Sequence, residues 1–405
     1  MAPPPEELRT TVGIVGAGPA GLTLAHLLHT VGIDSIVLDD RDRETIAATH
    51  RAGILEQGSV ELLADTGAVT RVHAQGHEHS GTVFRVDGVD HRIDFQGLVG
   101  ASVWLYPQNE VFVDLARTRD AAGGAVFYGV SGTSPAGFDT ERPHVDFTDA
   151  DGSPRRIVCD WLVGADGSRS VCRSAMPEAD RRRFSHQYPF AWFGILCEAP
   201  PSAPELIYSR SDRGFALISQ RSDTVQRMYF QCSPDEDPAA WSDDRIWSEL
   251  QARVDGPDGY RLTTGPIFER TVLPFRSFVS EPMRSGRLLL AGDAAHTVPP
   301  TGAKGLNLAL QDVRVLFEAL RDAVLAGDES GIEGYSDRAL KRVWKAQNFS
   351  YWVTSLMHRD PDASDFEVRR RAGELRGLLE SDHGRAYLAE AYTGWPQESR
   401  LASHG

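Results

Sequence analysis

Apolar residues run through this chain in short continuous stretches that repeatedly stop at glycine and resume with helical spacing. Thr11-Val12-Gly13-Ile14-Val15 reads as a buried strand, and it passes through Gly16-Ala17-Gly18-Pro19-Ala20-Gly21 into a helical run from Leu22 to His29. Ser35-Ile36-Val37-Leu38 is a second strand and ends on Asp39. Cys159 to Gly164 is a third, broken at Asp166-Gly167 before a helix. Leu288-Leu289-Leu290-Ala291 is a fourth; it gives way to Gly292-Asp293, a Pro299-Pro300-Thr301-Gly302 loop and a helical pattern from Leu306 to Leu320. Strands alternating with helices in this way predict an α/β fold with a parallel sheet.

Between these segments the pattern changes. Gly53 to Leu63 looks helical, while Thr82–Val86 and His91–Phe95 look like a hairpin around Asp87-Gly88. Val111 to Ala121 is predicted as a helix, and a strand pair flanks Asp149-Ala150-Asp151-Gly152. From Phe190 to Val272 apolar and polar residues alternate, as in Gly214–Ser219 and Gln226–Gln231, which predicts an inserted antiparallel sheet. Beyond the fourth strand the chain reads as mostly helical to about Tyr392.

Composition narrows the choices. At 405 residues with 41% apolar content, the chain can bury a sizeable core in two or three lobes. A formal net charge of -15 argues against nucleic acid, which is bound by clustered Lys and Arg. Cys159, Cys172, Cys197 and Cys232 form no C-x-x-C pair and no zinc spacing, so no metal site is expected and the thiols read as reduced packing residues in a cytoplasmic protein. No apolar run approaches the ~20 residues of a membrane span, and Met1-Ala-Pro-Pro-Pro-Glu-Glu lacks the features of a signal peptide.

Strand, G-x-G-x-x-G and helix in sequence, with Asp39 after the second strand, are the fingerprint of a dinucleotide site. Gly16, Gly18 and Gly21 allow a tight turn, approach of backbone to pyrophosphate, and close helix packing, while Asp39 suits a ribose. The loop from Gly292 to Asn307 makes a second cradle. Asp293 can accept from a polyol, and the helix start offers N–H donors and a positive dipole end.

The first fingerprint, the Asp166-Gly167 strand end and the Gly292-Asp293 cradle, in this order, resemble the single-component FAD-dependent aromatic hydroxylases. The resemblance runs from about Val12 to Pro396 and narrows to the members that act on 4-hydroxybenzoate. It is carried by Arg51-Ala52-Gly53-Ile54-Leu55-Glu56-Gln57-Gly58, Gly214-Phe215-Ala216-Leu217-Ile218-Ser219-Gln220-Arg221-Ser222 and Val298-Pro299-Pro300-Thr301-Gly302-Ala303-Lys304-Gly305-Leu306-Asn307. It implies a Rossmann-like FAD-binding domain of the glutathione-reductase type, an inserted antiparallel-sheet substrate domain and a helical C-terminal region. The boundaries expected are a disordered tail at 1–10, FAD-binding segments at 11–185 and 276–325, the substrate sheet at 186–275, C-terminal helices at 326–396 and a tail at 397–405.

The resemblance also implies hydroxylation of 4-hydroxybenzoate at its 3-position to 3,4-dihydroxybenzoate, with NAD(P)H and O2, through a flavin C4a-hydroperoxide. FAD is then expected at Gly16, Gly18, Gly21, Asp39, Arg51, Gln108, Asp166, Asp293, Leu306 and Asn307. Arg51 suits a pyrophosphate, although by itself it could be an exposed charge. Ser219 and Arg221, two apart on a strand, face one side, and Tyr229 can reach that side from the next strand. A guanidinium flanked by hydroxyls suits an aromatic carboxylate, the role the family gives these three; a surface ion pair and plain packing are the alternatives. Tyr208 and Tyr392 match two tyrosines that relay the substrate's phenolic proton, and His79 matches the end of that relay near solvent. Pro300 is expected to present its carbonyl to the substrate ring, Trp192, Leu206 and Leu217 an apolar wall, and Arg227 to govern flavin movement. Arg41, Arg169 and Arg173 are expected near NAD(P)H, and a homodimer is usual for the family.

Departures bear on the coenzyme. Members using NADPH carry an arginine directly after the ribose acid and a tyrosine a little later; here Asp40 and Thr45 stand there, and Thr49 replaces a further arginine. An aspartate beside a 2′-phosphate is repulsive, so NADH is expected to serve at least as well as NADPH. Hydroxylation of 4-aminobenzoate or 3,4-dihydroxybenzoate, or a non-catalytic flavin-binding regulator, are the competing readings.

Overall fold

The computed structural model describes residues 5–51 and 53–396. Its first sheet is centred on the strand Glu6–Val15, which pairs in parallel with Pro154–Gly164 on one side and Ser35–Asp39 on the other. Leu288–Leu290 and Val126–Tyr128 extend it in parallel at the two flanks. Val12, Ile14, Leu162, Val163, Val37 and Leu288 to Leu290 are buried because helices cover the sheet, as continuous apolar strands require. The helix Pro19–Thr30 buries Gly21 to Leu28 against this core, and the helix Gly305–Ala326 buries Leu308, Leu310, Val313 and Leu316.

The second sheet runs His296–Thr297, Ile267–Glu281, Arg182–Glu198, Val225–Cys232, Gly214–Gln220, Ile207–Ser211, Gly81–Val86 and Val89–Asp94. Its alternation sorts side chains into two layers. Phe193, Ile195, Ala216, Ile218, Met228 and Phe230 form an outer core under the helix Asp243–Arg253 with Ile246 and Leu250. Trp192, Tyr208, Phe215, Leu217 and Tyr229 face inward, onto Phe349, Leu388 and Tyr392 of the C-terminal helices.

Four expectations need correction. The strand expected from Thr11 begins at Glu6, so residues 6–10 are not tail: Leu8 pairs with Ile157, and Arg155 Nη1 meets Glu6 at 2.5 Å. Cross-strand charge pairs support an extension that lacks the apolar run used to find the rest. The second sheet outruns 186–275: its strands reach Arg182 and Glu281, and it includes the 81–94 hairpin, joined in parallel through Val83 opposite Ile207. A parallel pairing so distant in sequence leaves no local signature. The region read as sheet also contains the helix Asp243–Arg253, capped by Ser242. Finally, Ile54–Glu56 is a strand before the helix Gln57–Asp65, held by pairing with Val103–Leu105. The expected tail at 397–405 lies outside the described residues. Among the described residues no helix is long and apolar enough to cross a membrane.

Candidate active site

Three strand ends converge where the first sheet opens. Gly16 N donates to Leu38 O at 2.7 Å and Ala165 N to Val15 O at 2.7 Å, so the three loops that follow are pinned together. Gly16 has φ +112, and a Cβ there would lie 2.2 Å from Ala165 O; a Cβ on Gly21 would lie 1.9 Å from Gly16 O. Both glycines are needed by the protein itself. Gly18 is different: a Cβ there would meet nothing within 4 Å, so its bareness leaves room for a ligand. Asp39 is buried and accepts from Ala17 N at 2.8 Å and from Arg41 N at 3.0 Å, with Arg41 Nε at 3.1 Å.

At the second cradle, Gly292–Ala294 is a single turn whose ends are both held by one residue of the following helix. Asp312 accepts from Gly292 N at 2.9 Å and pairs with His296 Nε2 at 2.6 Å. The facing Asp312 outweighs burial and raises the His296 pKa. Asp293 is thereby presented to the crevice, where Arg51 Nη1 stands 3.6 Å away and burial raises its carboxyl pKa. Pro300 opens the next turn, and its carbonyl accepts from Ala303 N at 2.9 Å. Ala303 takes φ +53, a conformation an alanine holds only when its surroundings insist. No side chain caps the helix Gly305–Ala326, which leaves its first N–H groups available to a ligand; Leu306 packs on the main core. Asn307 accepts from Glu56 N at 2.8 Å and donates to Ile54 O and Ala303 O.

Asp166 caps the short helix Val171–Ala175 by accepting from Ser170 Oγ at 2.6 Å and Cys172 N at 3.0 Å. Arg173, expected to face nucleotide, donates to Ala294 O at 2.6 Å and Ser168 O at 2.8 Å. Its fork is a strut between two loops, which leaves Arg169, exposed, as the freer of the pair.

The inner layer of the second sheet carries two unlike groups of polar side chains, one packed on the C-terminal helices and one at the strand ends. At the deep end, Tyr208 and Tyr392 hydroxyls lie 2.7 Å apart, and burial raises both pKa values. Tyr208 stacks on Phe84 and Tyr392 on Phe95, with centroids 5.3 and 5.1 Å apart. Leu206, Leu217 and Trp192 are buried beside them. His79, expected near solvent, is buried: neither ring nitrogen has a partner among the described residues, and desolvation pushes its pKa down to about 4. It is therefore a neutral imidazole with both nitrogens open, and no direct bond joins it to Tyr392.

At the rim, Ser219 Oγ donates to Arg227 O at 3.0 Å, and Arg221 Nη2 to Asn109 Oδ1 at 2.6 Å. Tyr229 packs on Trp192 at 4.8 Å, and the Arg227 guanidinium lies 5.3 Å from the Tyr229 ring with Nη1 buried and without a partner among the described residues. Gln108, half-buried, begins the helix Gln108–Ala121 one residue before Asn109. Arg221 lines a cavity of about 330 Å³ together with Asn109, His50, Leu196 and Phe268.

The FAD binding domain family matches residues 9–350. The p-hydroxybenzoate hydroxylase of Acinetobacter baylyi is 44% identical over 394 residues, covering 97% of each chain. The chain belongs to the FAD-dependent aromatic hydroxylases. More distantly, a 3-(3-hydroxy-phenyl)propionate/3-hydroxycinnamic acid hydroxylase of Mycobacterium avium is 28% identical over 78% of this chain and 56% of its own length. The p-nitrophenol 4-monooxygenase of Pseudomonas putida DLL-E4 shares the fold, with a TM-score of 0.77 at 17% identity over 97% of this chain and all of that one. FAD is thus the cofactor of this hydroxylase and NAD(P)H its co-substrate. The bare Gly18, the uncapped helix and the inward Asp293 fit that cofactor.

Several residues of this hydroxylase's site escaped the sequence reading. Lys304 is buried, donating to Glu56 Oε1 at 2.6 Å and Tyr392 O at 2.9 Å, and burial lowers its pKa. It ties the flavin cradle to the deep end of the pocket. His358 accepts from Trp192 Nε1 at 2.6 Å and donates from Nδ1 to Thr354 O at 2.9 Å; burial pushes its pKa down to about 3. Asp312 did leave a signal, since an acid on the same helical stripe as Leu308, Ala309, Val313 and Leu316 predicts a buried partner. His358 and Asn109 left none.

Proposed function

We propose that this hydroxylase oxidises 4-hydroxybenzoate at C3 to 3,4-dihydroxybenzoate and uses NADH at least as well as NADPH. The observation that carries the reading is the polarity of this aromatic inner layer. A hydroxyl pair, Tyr208 and Tyr392 at 2.7 Å, lies at one end and the Arg221 guanidinium at the other. A phenol para to a carboxylate spans such a pair of ends. The relative from Acinetobacter baylyi supports the same substrate.

FAD, when bound, accepts hydride from the pyridine nucleotide and activates O2. The chain's own residues do the rest. Arg221 holds the carboxylate bidentately, with Ser219 and Tyr229 beside it. Trp192, Leu206 and Leu217 keep the ring dry, and the sheet covers it so that activated oxygen meets substrate rather than water. Burial keeps Tyr208 and Tyr392 protonated, so the substrate phenol is the group that ionises. Its proton moves from Tyr208 Oη to Tyr392 Oη and outward toward His79, and the electron-rich ortho carbon then attacks. Gly16, Gly18, Gly21, Asp39, Arg51, Gln108, Asp293, Leu306 and Asn307 hold FAD in this reading. Pro300 would face the substrate ring, and Arg227, its Nη1 buried and without a partner among the described residues, would govern movement of the bound flavin.

The coenzyme reading gains support from two ion pairs. Arg41 is tied to Asp39 at 3.1 Å and Arg43 to Asp120 at 2.7 Å, so the arginines that could offset Asp40 are already paired. Asp40, 82% exposed, has Arg41 Nε at 3.9 Å, but that arginine is shared with Asp39, so one arginine faces two carboxylates and net negative charge is left to repel a 2′-phosphate. Arg169 remains for the pyrophosphate. The same reading makes the protein a cytoplasmic homodimer, in keeping with four free cysteines.

Anaerobic mixing of holoenzyme with NADH or NADPH, across para-substituted benzoates, tests both parts. Reduction should be fastest with 4-hydroxybenzoate, and aerobic turnover should yield 3,4-dihydroxybenzoate. No acceleration by 4-hydroxybenzoate refutes the substrate, and an efficiency ratio above about tenfold in favour of NADPH refutes the coenzyme.

A further inference from the structure

Arg221 sits just past the strand Gly214–Gln220, where Arg221 N and Ser222 N both donate to Val225 O in the turn. A guanidinium on a long stem beyond the end of a strand needs something to aim it. Two groups do so, both from the cofactor side of the molecule: Asn109 Oδ1 accepts from Nη2 at 2.6 Å and Arg51 O from Nη1 at 3.4 Å. Among the described residues no carboxylate is in ion-pair contact with Arg221; Arg227, Glu269 and Glu110 act on it from further away.

We propose that Asn109 is a positioning residue that aims Arg221 at the substrate carboxylate without neutralising it, and couples that arginine to the FAD-binding segments. The inference rests on the substrate reading above. Asn109 is itself oriented: its Nδ2 donates to Glu110 Oε1 at 3.4 Å, and Glu110 is held by Arg71 at 2.9 Å, so the amide oxygen is the atom left for Arg221. An amide engages one donor of the fork and leaves the positive charge whole for an incoming anion. A carboxylate in its place would hold the arginine as well and cancel its charge. The cavity of about 330 Å³ that Arg221 and Asn109 line is open space into which an unaimed side chain would swing. The bracing groups also flank the cofactor. Asn109 follows Gln108, and the Arg51 carbonyl belongs to the residue whose side chain faces Asp293 at 3.6 Å.

The test titrates wild-type, Asn109→Ala and Asn109→Asp holoenzymes with 4-hydroxybenzoate and its neutral analogue 4-hydroxybenzamide, following the flavin spectrum. Asn109→Ala should raise Kd for the acid about tenfold and leave Kd for the amide within about twofold, since only the aim of a charge-assisted contact is lost. Asn109→Asp should raise the acid's Kd about a hundredfold, because it keeps the hydrogen bond and removes the free charge. FAD content should match wild type in both. Equal weakening of acid and amide, or an Asp variant that binds the acid as wild type does, overturns the proposal in favour of a structural role. If wild type ignores 4-hydroxybenzoate yet binds another benzoate, the substrate reading fails and Asn109 is judged on that benzoate and its amide. Indifference of wild type to every benzoate overturns both.

Discussion

The two ends of the pocket are built on opposite plans. At the deep end the side chains that meet one another are neutral: Tyr208 and Tyr392 bond to each other, His79 is uncharged, Phe84, Phe95 and Leu206 lie among them, and the one cation beside them, Lys304 on Tyr392 O, is matched by Glu56. At the rim the central group is a full cation, half-buried, braced by an amide and a carbonyl. Burying an unpaired charge deeply costs far more than burying hydrogen-bonded neutral groups or a matched ion pair, so Lys304 is buried with Glu56 while the arginine without a carboxylate partner stays nearer water. On the proposed function, chemistry that needs a transient charge is given the dry end, where a new phenolate would have fixed dipoles beside it and no competing solvent. On that proposal, one end recognises and the other reacts.

Breaking the deep end should have the largest effect. Tyr208→Phe removes the hydroxyl that first meets the phenol, and product formation should fall about 10²- to 10³-fold, a typical loss for proton transfer. Kd for 4-hydroxybenzoate should change by less than about threefold, because the carboxylate anchor is intact. An unchanged product yield would refute the relay and with it the division of labour. Breaking the rim should do the reverse: Arg221→Lys keeps the charge but loses the fork, so KM should rise about 30-fold, near 2 kcal/mol, with kcat largely kept. A kcat loss as deep as that of Tyr208→Phe would show that the ends are not separable.

Acid tests the deep end in another way. Desolvation puts the pKa of His79 at about 4 and that of His358 at about 3, against 6.5 when unfolded. The unfolded chain therefore binds more protons between those values, and stability present above pH 6.5 is lost as pH falls. Each histidine should cost about 2 kcal/mol of stability between pH 7 and pH 5. His296 behaves oppositely: its raised pKa means its contribution is complete in acid and is lost only as pH rises through the folded value. Melting curves of His79→Asn and His358→Asn should thus be flatter than wild type over pH 5 to 7, and a slope equal to wild type in both would contradict the neutral, buried assignment.

The same two ends differ in how far the sequence discloses them. The nucleotide fold was legible because continuous apolar strands, glycines and Asp39 are local signals. Spacing put Ser219 and Arg221 on one strand, but the strand Gly214–Gln220 ends one residue short of Arg221; the pairing expected to bring Tyr229 near is seen with Leu217 opposite Tyr229. The deep end was not legible. Tyr208 and Tyr392 are 184 residues apart, as the chain runs, and only resemblance paired them. Asn109, His358 and Lys304 act across 112, 166 and 248 residues, and an isolated polar residue carries no period to betray its partner. The strand from Glu6 and the parallel join of Val83 to Ile207 were missed for the same reason.

The smallest effect is expected at Ser219, and it sharpens what the rim contributes. Its hydroxyl proton is committed to Arg227 O at 3.0 Å, so donating to a carboxylate would mean exchanging one hydrogen bond for another. Such an exchange gains little, and Ser219→Ala should raise KM only two- to fivefold, about 0.5–1 kcal/mol. The same bond holds the backbone beneath Arg227, whose Nη1 is buried and unpartnered among the described residues. Loss of the hydroxyl should therefore change the rate of flavin reduction at saturating substrate as well as KM. If KM rises as far as in Arg221→Lys, the serine is a principal anchor. If reduction alone slows, the rim's second task is to steady Arg227, and recognition rests on the arginine that Asn109 aims.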